Sequence, residues 1–535
     1  MTTARSKGGS TLVACTCIAF GITLIYAIVG GIIRPAMFSD SAWGFLGWHS
    51  GTGLPLNFSA GVDSGNIARN TMGFMGWWTP GQHVLPGLLE AMGLDLGLAI
   101  IVVVTVFSGL GLLGWSTLYR AFGFPVETSA AATAIIACTH HFALPFTNYN
   151  GGEVLMFGTA PWFLVLVWRL RELRWTAVLP LLAGAVVMVF AKLSGFLLSV
   201  IAVGAAAGSS RRWFGNETMR RALVAGSTIL LMGALFYFLW LSRSRTPVSA
   251  VSLQSGVDLP ELLRFAAFAI GAVWSAALSL GQIADFLVRH PGRPLLDSLL
   301  AVYCGFLPLA VATFAFVWWR LRREHADYLR FVAVLAVVMA GMLALTVATG
   351  AKISTDERHL RVVSLVLLGG IVHGFLGWPG LWLRSAFAAV LVVAGIFGVS
   401  SFAWHSATSL KRPLSDHGFR HWIADAPLLD FIHKIDVAGP DAASTLIMFT
   451  APEIAVEARN VRVMSDVADF QTIEELDRDS KRGKVPRLYV VVQKKLVDNG
   501  KGAAVLRSFV DYPAASWQEM PVGEFVVYFS EFGAR

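Results

Sequence analysis

Charge is what this sequence has least of. Asp, Glu, Lys and Arg make up 14% of its 535 residues, where an ordinary soluble domain carries about 25%. That deficit excludes a globule with a charged, solvated shell. Cysteine is almost as scarce. Cys15, Cys17, Cys138 and Cys304 all fall inside apolar segments. Cys15 and Cys17 are two apart on one predicted helix and point in different directions, which excludes a disulfide or zinc framework and leaves small buried hydrophobes. Internal repeats and low-complexity tracts are absent. The net charge of +8 is no nucleic-acid footprint, because the basic residues punctuate apolar runs rather than form a stripe.

What is present is apolar length. Hydrophobic residues are 55% of the chain and mean hydropathy is +0.63. Runs of roughly 18 or more apolar residues recur, the mark of a polytopic membrane protein. Only helices or closed barrels span lipid, and these runs are continuous rather than alternating, so helices are expected. Arg5 and Lys7 precede the first run, Thr11–Ile33. It is longer than a signal peptide's apolar core of about 7–15 residues, and Gly30-Gly31-Ile32-Ile33-Arg34 is no cleavage site. A retained first helix with a cytoplasmic N-terminus follows.

The basic clusters set the topology. They are Arg120, Arg169/Arg171/Arg174, Arg211/Arg212/Arg220/Arg221, Arg320/Arg322/Arg323 and Arg384, each in a short connection. With all of them cytoplasmic, the spans come in pairs. These are Thr11–Ile33 with Leu94–Leu118, Ala130–Phe146 with Val154–Trp168, and the short Ala177–Phe190 with Gly195–Ala207. Leu223–Leu241 then pairs with Leu295–Trp318, and Phe331–Thr349 with Val362–Phe375. Ser385–Phe402 is unpaired, so about eleven spans result and the C-terminus lies outside the cytoplasm.

Four outer connections follow from this. Arg34–Gly93 is long and carries Asp40 and Trp77-Trp78-Thr79-Pro80-Gly81-Gln82-His83, read as helices lying on the interface. Thr147–Glu153 is short. Ser242–Pro294 is amphipathic and again reads as interfacial helices, and Lys352–Arg361 is rich in charge. After Trp404 charges become frequent and apolar runs shrink to strand size. Thr445–Thr450, Val461–Met464, Arg487–Gln493 and Glu524–Phe529 read as strands, with helices over Pro452–Ala458, Thr472–Leu476 and Ala503–Phe509. The alternation predicts a small α/β domain with a mostly parallel sheet. With no GxGxxG and no Walker A pattern in it, a structural or lid role is expected. The division is a membrane module over 1–404 and an extracytoplasmic domain over 405–535.

Ionisable residues at the edge of lipid are functional candidates. Asp40 follows the first span closely; as Ser39-Asp40-Ser41 it reads equally as a helix N-cap. Glu153 would begin a helix, where the dipole favours an anion. Asn148 and Tyr149 are uncharged hydrogen-bonding groups of the kind that line sugar sites. His140 and His141 are adjacent and cannot face the same way on a helix, so no metal pair is expected of them; one is expected to line the cavity and the other to make a polar contact between helices. Lys352, Arg358, His359 and Arg361 gather where one span ends and the next begins. Arg358 and Arg361 share a helical face, and arginine forks match phosphate oxygens. Positive charge is disfavoured on an outer face, so the cluster points to phosphate. Arg243, Arg245 and Lys192 are further candidates of this kind, while Trp77, Trp78 and His83 could touch a glycan.

The ordered set resembles the GT-C superfamily of membrane glycosyltransferases, bacterial type. The features are an acid soon after the first span (Asp40), a Pro-Gly segment in a long first outer loop (Thr79-Pro80-Gly81-Gln82-His83), and a short second outer loop. A pair of short spans with Lys192 follows, then the late Glu357-Arg358-His359-Leu360-Arg361, then Phe449-Thr450-Ala451-Pro452-Glu453 in the C-terminal part. The resemblance implies a mostly α, polytopic fold in the inner (plasma) membrane and a polyprenyl-phosphate-linked sugar donor. It implies a lipid, glycan or protein acceptor on the outer face and no nucleic-acid partner. In that reading Asp40 is the general base. Arg358, Lys352, Arg361 and Lys192 hold the donor phosphate. Glu153, Asn148, Tyr149, His359 and His83 meet sugar or acceptor. Many members carry paired acids after the first span, whereas here Ser41 and Ala42 follow Asp40. A divalent metal, Mg or Mn, therefore stays open, with Asp63 the nearest further acid of that loop considered for it. A lipid-glycan flippase or transporter, and an inactive GT-C-like scaffold, are the alternatives.

Overall fold

The computed structural model describes residues 2–50, 56–76, 78–209, 215–243, 259–290, 293–294, 299–348 and 356–532. The helices up to residue 410 are α1 Thr2–Ile33, α2 Ser39–Ser50, α3 Gly81–Ala91, α4 Leu96–Ala121, α5 Val126–Ala137, α6 His140–Ala143, α7 Gly151–Arg169 and α8 Val178–Ala191. They continue with α9 Ser194–Gly208, α10 Asn216–Phe236, α11 Leu259–Ser275, α12 Leu280–Val288, α13 Leu299–Leu321, α14 Ala326–Ala348, α15 Arg361–Leu376 and α16 Leu381–Leu410.

Among the described residues six helices are long and apolar enough to cross a membrane, seven if one bent pair counts as a single span, and five shorter helices are apolar. Each of the eleven expected spans falls on one of these. In lipid every backbone N–H and C=O must be satisfied within its own segment, which is why continuous apolar runs become helices. The expected span Ala130–Phe146 is divided. Its helix ends at Ala137, and α6 and a 3-10 turn, Leu144–Phe146, complete it. Pro145 lies in that turn and cannot donate to a helix ladder. Within 242–294, the helices Phe265–Ser275 and Leu280–Leu287 meet at 107°, and the two-residue strands β5 Arg289–His290 and β6 Arg293–Pro294 pair antiparallel.

The chain forms two compact units. The first holds Met1–Val29, Val104–Pro145 and Gly152–Trp404; the second holds Gly30–Val103, Phe146–Gly151 and His405–Arg535. In the first unit α15 is buried along nearly its whole length. The Tyr119 hydroxyl donates to the Leu365 carbonyl at 2.7 Å. The Tyr328 hydroxyl donates to the Val366 carbonyl at 3.1 Å and accepts from Gly370 N–H at 3.2 Å. Gly369 and Gly370 permit this, since a Cβ on either would come within 2.5 Å of one of those tyrosines. Cys15, Cys17 and Cys138 are free thiols; the side chain of Cys304 lies outside the described residues.

In the second unit the first loop contributes a hairpin, β2 Phe58–Asp63 with β3 Asn66–Phe74, beside short parallel strands β1 Ala36–Met37 and β4 Asn148–Tyr149. Asp63 Oδ1 accepts from Gly65 N–H at 2.9 Å, so this acid shapes the hairpin turn. The C-terminal sheet runs β10-β11-β9-β7-β8, with β7 Thr445–Phe449, β8 Arg462–Ser465, β9 Arg487–Gln493, β10 Gln518–Val522 and β11 Phe525–Glu531. β7 pairs parallel with β8 and β9, but β11 pairs antiparallel with both β9 and β10. The sheet is therefore mixed rather than mostly parallel. The cause is a tight turn at Gly523, whose φ of +57° suits glycine, folding β11 back on β10. Alternate residues of β7 and β9 enter different cores. Leu446, Met448, Leu488, Val490 and Val492 line one face and Ile447, Phe449 and Val491 the other, as a strand's period of two requires. Ile67 of the hairpin is fully buried in the first of these cores. Arg462 secures the hairpin by donating to the carbonyls of Ile67 at 2.7 Å and Arg69 at 3.0 Å.

Candidate active site

In the first unit, three separate breaks between helices deliver charge to one cleft. Glu153 enters in the first turn of α7. Lys192 stands where α8 stops; its backbone is extended (φ −160°, ψ 144°) before α9 starts at Ser194. The break is tight, because a Cβ on Gly195 would approach the Met188 carbonyl oxygen to 2.2 Å. Arg358 and His359 sit on the 3-10 turn Glu357–His359, which Asp356 caps by accepting from Arg358 N–H at 2.9 Å. Arg361 opens α15. Glu153, Lys192, Arg358, His359 and Arg361 line the cleft, floored by Met156, Phe157, Leu198, Met339 and Leu365.

The electrostatics favour an anion. Lys192 Nζ donates to Glu153 Oε1. Arg358 Nε lies 3.9 Å from the same oxygen and 3.5 Å from Asp356 Oδ2. Arg361 Nε is buried with no hydrogen-bond partner among the described residues. Three cations thus face one lining carboxylate. Burial, then the charges of Lys192 and Arg358, hold the His359 imidazole down at about 4, so it is neutral at pH 7. Of the cluster expected to bind phosphate, Lys192, Arg358 and Arg361 meet here; Lys352 and the further candidate Arg245 lie outside the described residues, as does Trp77.

Glu357 is a residue of this site that the sequence does not mark out. Its side chain is fully buried. Ser275 Oγ and the Tyr303 hydroxyl each donate to its Oε2 at 3.3 Å, while Oε1 has no hydrogen-bond partner among the described residues. Burial pushes its carboxyl upward, against the pull of Arg361. It anchors the turn that presents Arg358 to α11 and α13. The sequence shows only an acid inside a basic cluster, and burial is what distinguishes it. His140 and His141 do not line this cleft: His140 Nδ1 meets Ser401 Oγ at 2.9 Å and His141 Nδ1 meets Ser279 Oγ at 3.4 Å, contacts between segments.

The second unit holds the remaining candidates. Asp40 is half-buried in the first turn of α2. It is not the cap, since Ser41 and Ala42 N–H both donate to the Phe38 carbonyl. Ser39 Oγ donates to Glu453 Oε1 at 2.5 Å. Glu453 lies in the first turn of the short helix Pro452–Ala455. Burial raises the Glu453 carboxyl, the Ser39 hydrogen bond opposes this, and the Asp40 charge raises it further. Asp40 therefore does have an acidic neighbour, and it is Glu453 rather than Asp63. The motif Phe449–Glu453 was the available signal. Tyr149 is fully buried and its hydroxyl donates to the Gln82 carbonyl at 2.6 Å. Asn148 is 8% exposed and pairs with Ala36 in the short sheet, with its Oδ1 lacking a hydrogen-bond partner among the described residues. His83 is 2% exposed, and burial, then His49, press its imidazole down to about 3.

No protein-family model and no curated protein sequence matches this chain. Solved structures do. ArnT from Cupriavidus metallidurans bound to undecaprenyl phosphate is 13% identical with a TM-score of 0.50, over 96% of this chain and 97% of that one. The same protein in the apo state gives 13% and 0.50, over 97% and 98%. The archaeal oligosaccharyltransferase AglB from Archaeoglobus fulgidus, in complex with an inhibitory peptide and a dolichol-phosphate, scores 0.49 at 12% identity, over 95% of this chain and 74% of that one. At such identity the likeness speaks for architecture. The chain shares the fold of ArnT, and that fold is a mostly helical, polytopic membrane bundle with a small sheet domain at the C-terminus.

Proposed function

We propose that the protein is a membrane glycosyltransferase that moves a sugar from a polyprenyl-phosphate-linked donor to a lipid, glycan or protein acceptor outside the cytoplasm. The observation that carries the reading is the cleft in which Lys192, Arg358 and Arg361 face a single lining carboxylate, Glu153. A phosphate on a lipid anchor needs cations at the membrane's edge, fixed before it arrives. Ion pairing to Glu153 fixes two of them. That ArnT has been solved with undecaprenyl phosphate on a shared fold supports the choice of donor.

The acceptor hydroxyl oxygen attacks the sugar's anomeric carbon. The bond from that carbon to the phosphate oxygen breaks, and polyprenyl phosphate leaves with the electron pair. Asp40 takes the acceptor's proton. Lys192, Arg358 and Arg361 stabilise the charge growing on the leaving phosphate. Neutral His359 and the Glu153 carboxylate orient sugar hydroxyls, with Asn148 and His83 assigned to acceptor or sugar. Attack in one displacement inverts the anomeric centre. Asp40 and Glu453 supply oxygen donors of the kind Mg or Mn prefers, and Glu453 Oε2 has no hydrogen-bond partner among the described residues. Such an ion, with waters completing its shell, would lower the pKa of the acceptor hydroxyl. The proposed orientation puts the N-terminus in the cytoplasm and the C-terminal sheet outside, in the inner membrane.

The test is undecaprenyl phosphate binding to the purified chain by native mass spectrometry, alongside turnover of a polyprenyl-phosphate sugar. Asp40→Asn should keep binding and lose transfer. Full transfer by that variant overturns the role of Asp40, and absence of lipid-phosphate binding by the wild type overturns the reading.

A further inference from the structure

The cleft lies at the start of α15; a second cluster lies at its other end. His373 is in the last turn of α15, twelve residues beyond Arg361 and so about 18 Å along the axis at 1.5 Å per residue. Glu324 and His325 occupy the turn between α13 and α14. One ring nitrogen from each histidine and one Glu324 carboxylate oxygen lie within 4.8 Å of one another. Glu324 is exposed and both imidazoles are half-buried.

The surroundings of the two rings carry the argument. His325 Nδ1 is 3.3 Å from the Phe122 carbonyl oxygen, to which it donates. His373 Nδ1 is 3.3 Å from Thr128 Oγ1. Each histidine thus has Nδ1 engaged by an oxygen, which leaves Nε2 as the nitrogen available to a cation. Metal-binding histidines are held in this way, the second ring nitrogen donating to an oxygen that fixes tautomer and orientation. The two rings are inclined at 76° with centroids 5.3 Å apart, so they are not stacked face to face. Phe124 packs on both, 4.7 Å from His325 and 5.2 Å from His373. Arg320 is turned to the Gly377 carbonyl, to which it donates at 3.2 Å.

We propose that Glu324, His325 and His373 form a binding site for a divalent transition cation of the zinc class, through Nε2 of each histidine and the Glu324 carboxylate, with water in the fourth position. Two imidazoles and a carboxylate suit zinc and its borderline neighbours over magnesium or calcium. Zinc bonds of about 2.0–2.1 Å in a tetrahedron place ligand atoms roughly 3.3 Å apart. The ligand atoms lie within 4.8 Å of one another, and closing them to that spacing needs side-chain movement, of which Glu324, exposed on a turn, can supply part. The bound ion ties the α13–α14 turn to the end of α15. Through Phe122 and Thr128 it also braces the connection from α4 to α5. The site is separate from the phosphate cleft and does not rest on the proposed transfer reaction.

The experiment uses the full chain purified without a polyhistidine tag, stripped with a chelator and titrated with zinc or cobalt alone. Elemental analysis should find one zinc per chain, and cobalt should give the visible absorption of a tetrahedral N/O site. The thermal midpoint should rise with zinc concentration, because a ligand that binds only the folded state stabilises it. Magnesium should do neither. His373→Ala should abolish the cobalt spectrum and the zinc shift. Glu324→Gln, a surface change that leaves the fold alone, should weaken zinc at least tenfold. Lack of zinc uptake at micromolar concentration by the wild type overturns the proposal, as does equal uptake by the wild type and Glu324→Gln.

Discussion

Removing Arg358 should weaken phosphate binding, and removing its carboxylate neighbour should strengthen it. Arg358→Ala deletes one of the three cations lining the cleft. A hydrogen bond to a charged group contributes roughly 1.5–3 kcal/mol, and a tenfold change in Kd corresponds to about 1.4 kcal/mol. The Kd for undecaprenyl phosphate should therefore rise about 10- to 150-fold. Arg358 keeps 28% of its side chain exposed, so solvent screening places the effect toward the lower end. Lys192→Ala should behave alike, its side chain being 23% exposed. Glu153→Gln keeps the shape and removes the negative charge that Lys192 and Arg358 now share. A phosphate then meets both cations without displacing a carboxylate, so its Kd should fall several-fold. The double variant Arg358→Ala/Glu153→Gln should be non-additive, because the two groups are in contact. Calorimetric titration at fixed ionic strength reads all four, with affinity falling as salt is raised. A Kd within twofold of wild type for both Arg358→Ala and Lys192→Ala would refute the cleft as the phosphate site.

If Asp40 and Glu453 act together, Glu453→Gln should lower turnover as Asp40→Asn does, while Asp63→Asn, altered only at a hairpin turn, should leave it unchanged. Gly195→Ala should reposition Lys192, because its Cβ meets the Met188 carbonyl at 2.2 Å. Reduced thermal stability together with reduced lipid-phosphate binding is the expected pair of readings. The second unit should be acid-labile. Burial favours the neutral carboxyl of Glu90, but the hydrogen bond from His49 and the charges of His49 and Arg459 outweigh it and hold the group at about 2. His421 does the same for Glu457, also against burial, at about 2. These folded values lie below the unfolded ones near 4.3. Their contribution is therefore complete above pH 5 and disappears as pH falls through 4 toward 2. His83, held at about 3 by burial, adds a loss of the same sign that starts near pH 6.5, where the unfolded imidazole first takes a proton. The melting temperature should drop steadily from pH 7.5 to pH 4, and an acid-insensitive melt would contradict these assignments.

Which features were legible follows from how far apart their causes sit in the chain. A membrane span is caused by its own twenty or so residues, and the runs over Leu94–Leu118 or Ser385–Phe402 could be read directly as α4 and α16. β7 and β9 were visible for the same reason, since each is a short apolar run. β10 was not: Gln518-Glu519-Met520-Pro521-Val522 lies largely exposed at a sheet edge, where proline is tolerated and little hydrophobicity is needed. Without β10, the strands that are apolar enough to recognise alternate with helices and imply a mostly parallel sheet. The hairpin β2–β3 was hidden likewise, because its strands are mostly exposed and its one fully buried residue, Ile67, packs in a core made by residues some four hundred positions later. The site divides along the same line. Lys192 stands out as a solitary cation between two short apolar helices, and Arg358 as part of a dense cluster. Their shared partner Glu153 is 39 residues from Lys192. Glu453 is 414 residues from the Ser39 hydroxyl it accepts from. In a chain this poor in charge, each ion that remains in an apolar setting needs a counter-ion or a hydrogen-bonding partner. An isolated Lys or Glu in the sequence therefore shows that a partner exists without showing where. The fold supplies the partner, and in doing so it turns scattered single charges into a cleft with a net positive face.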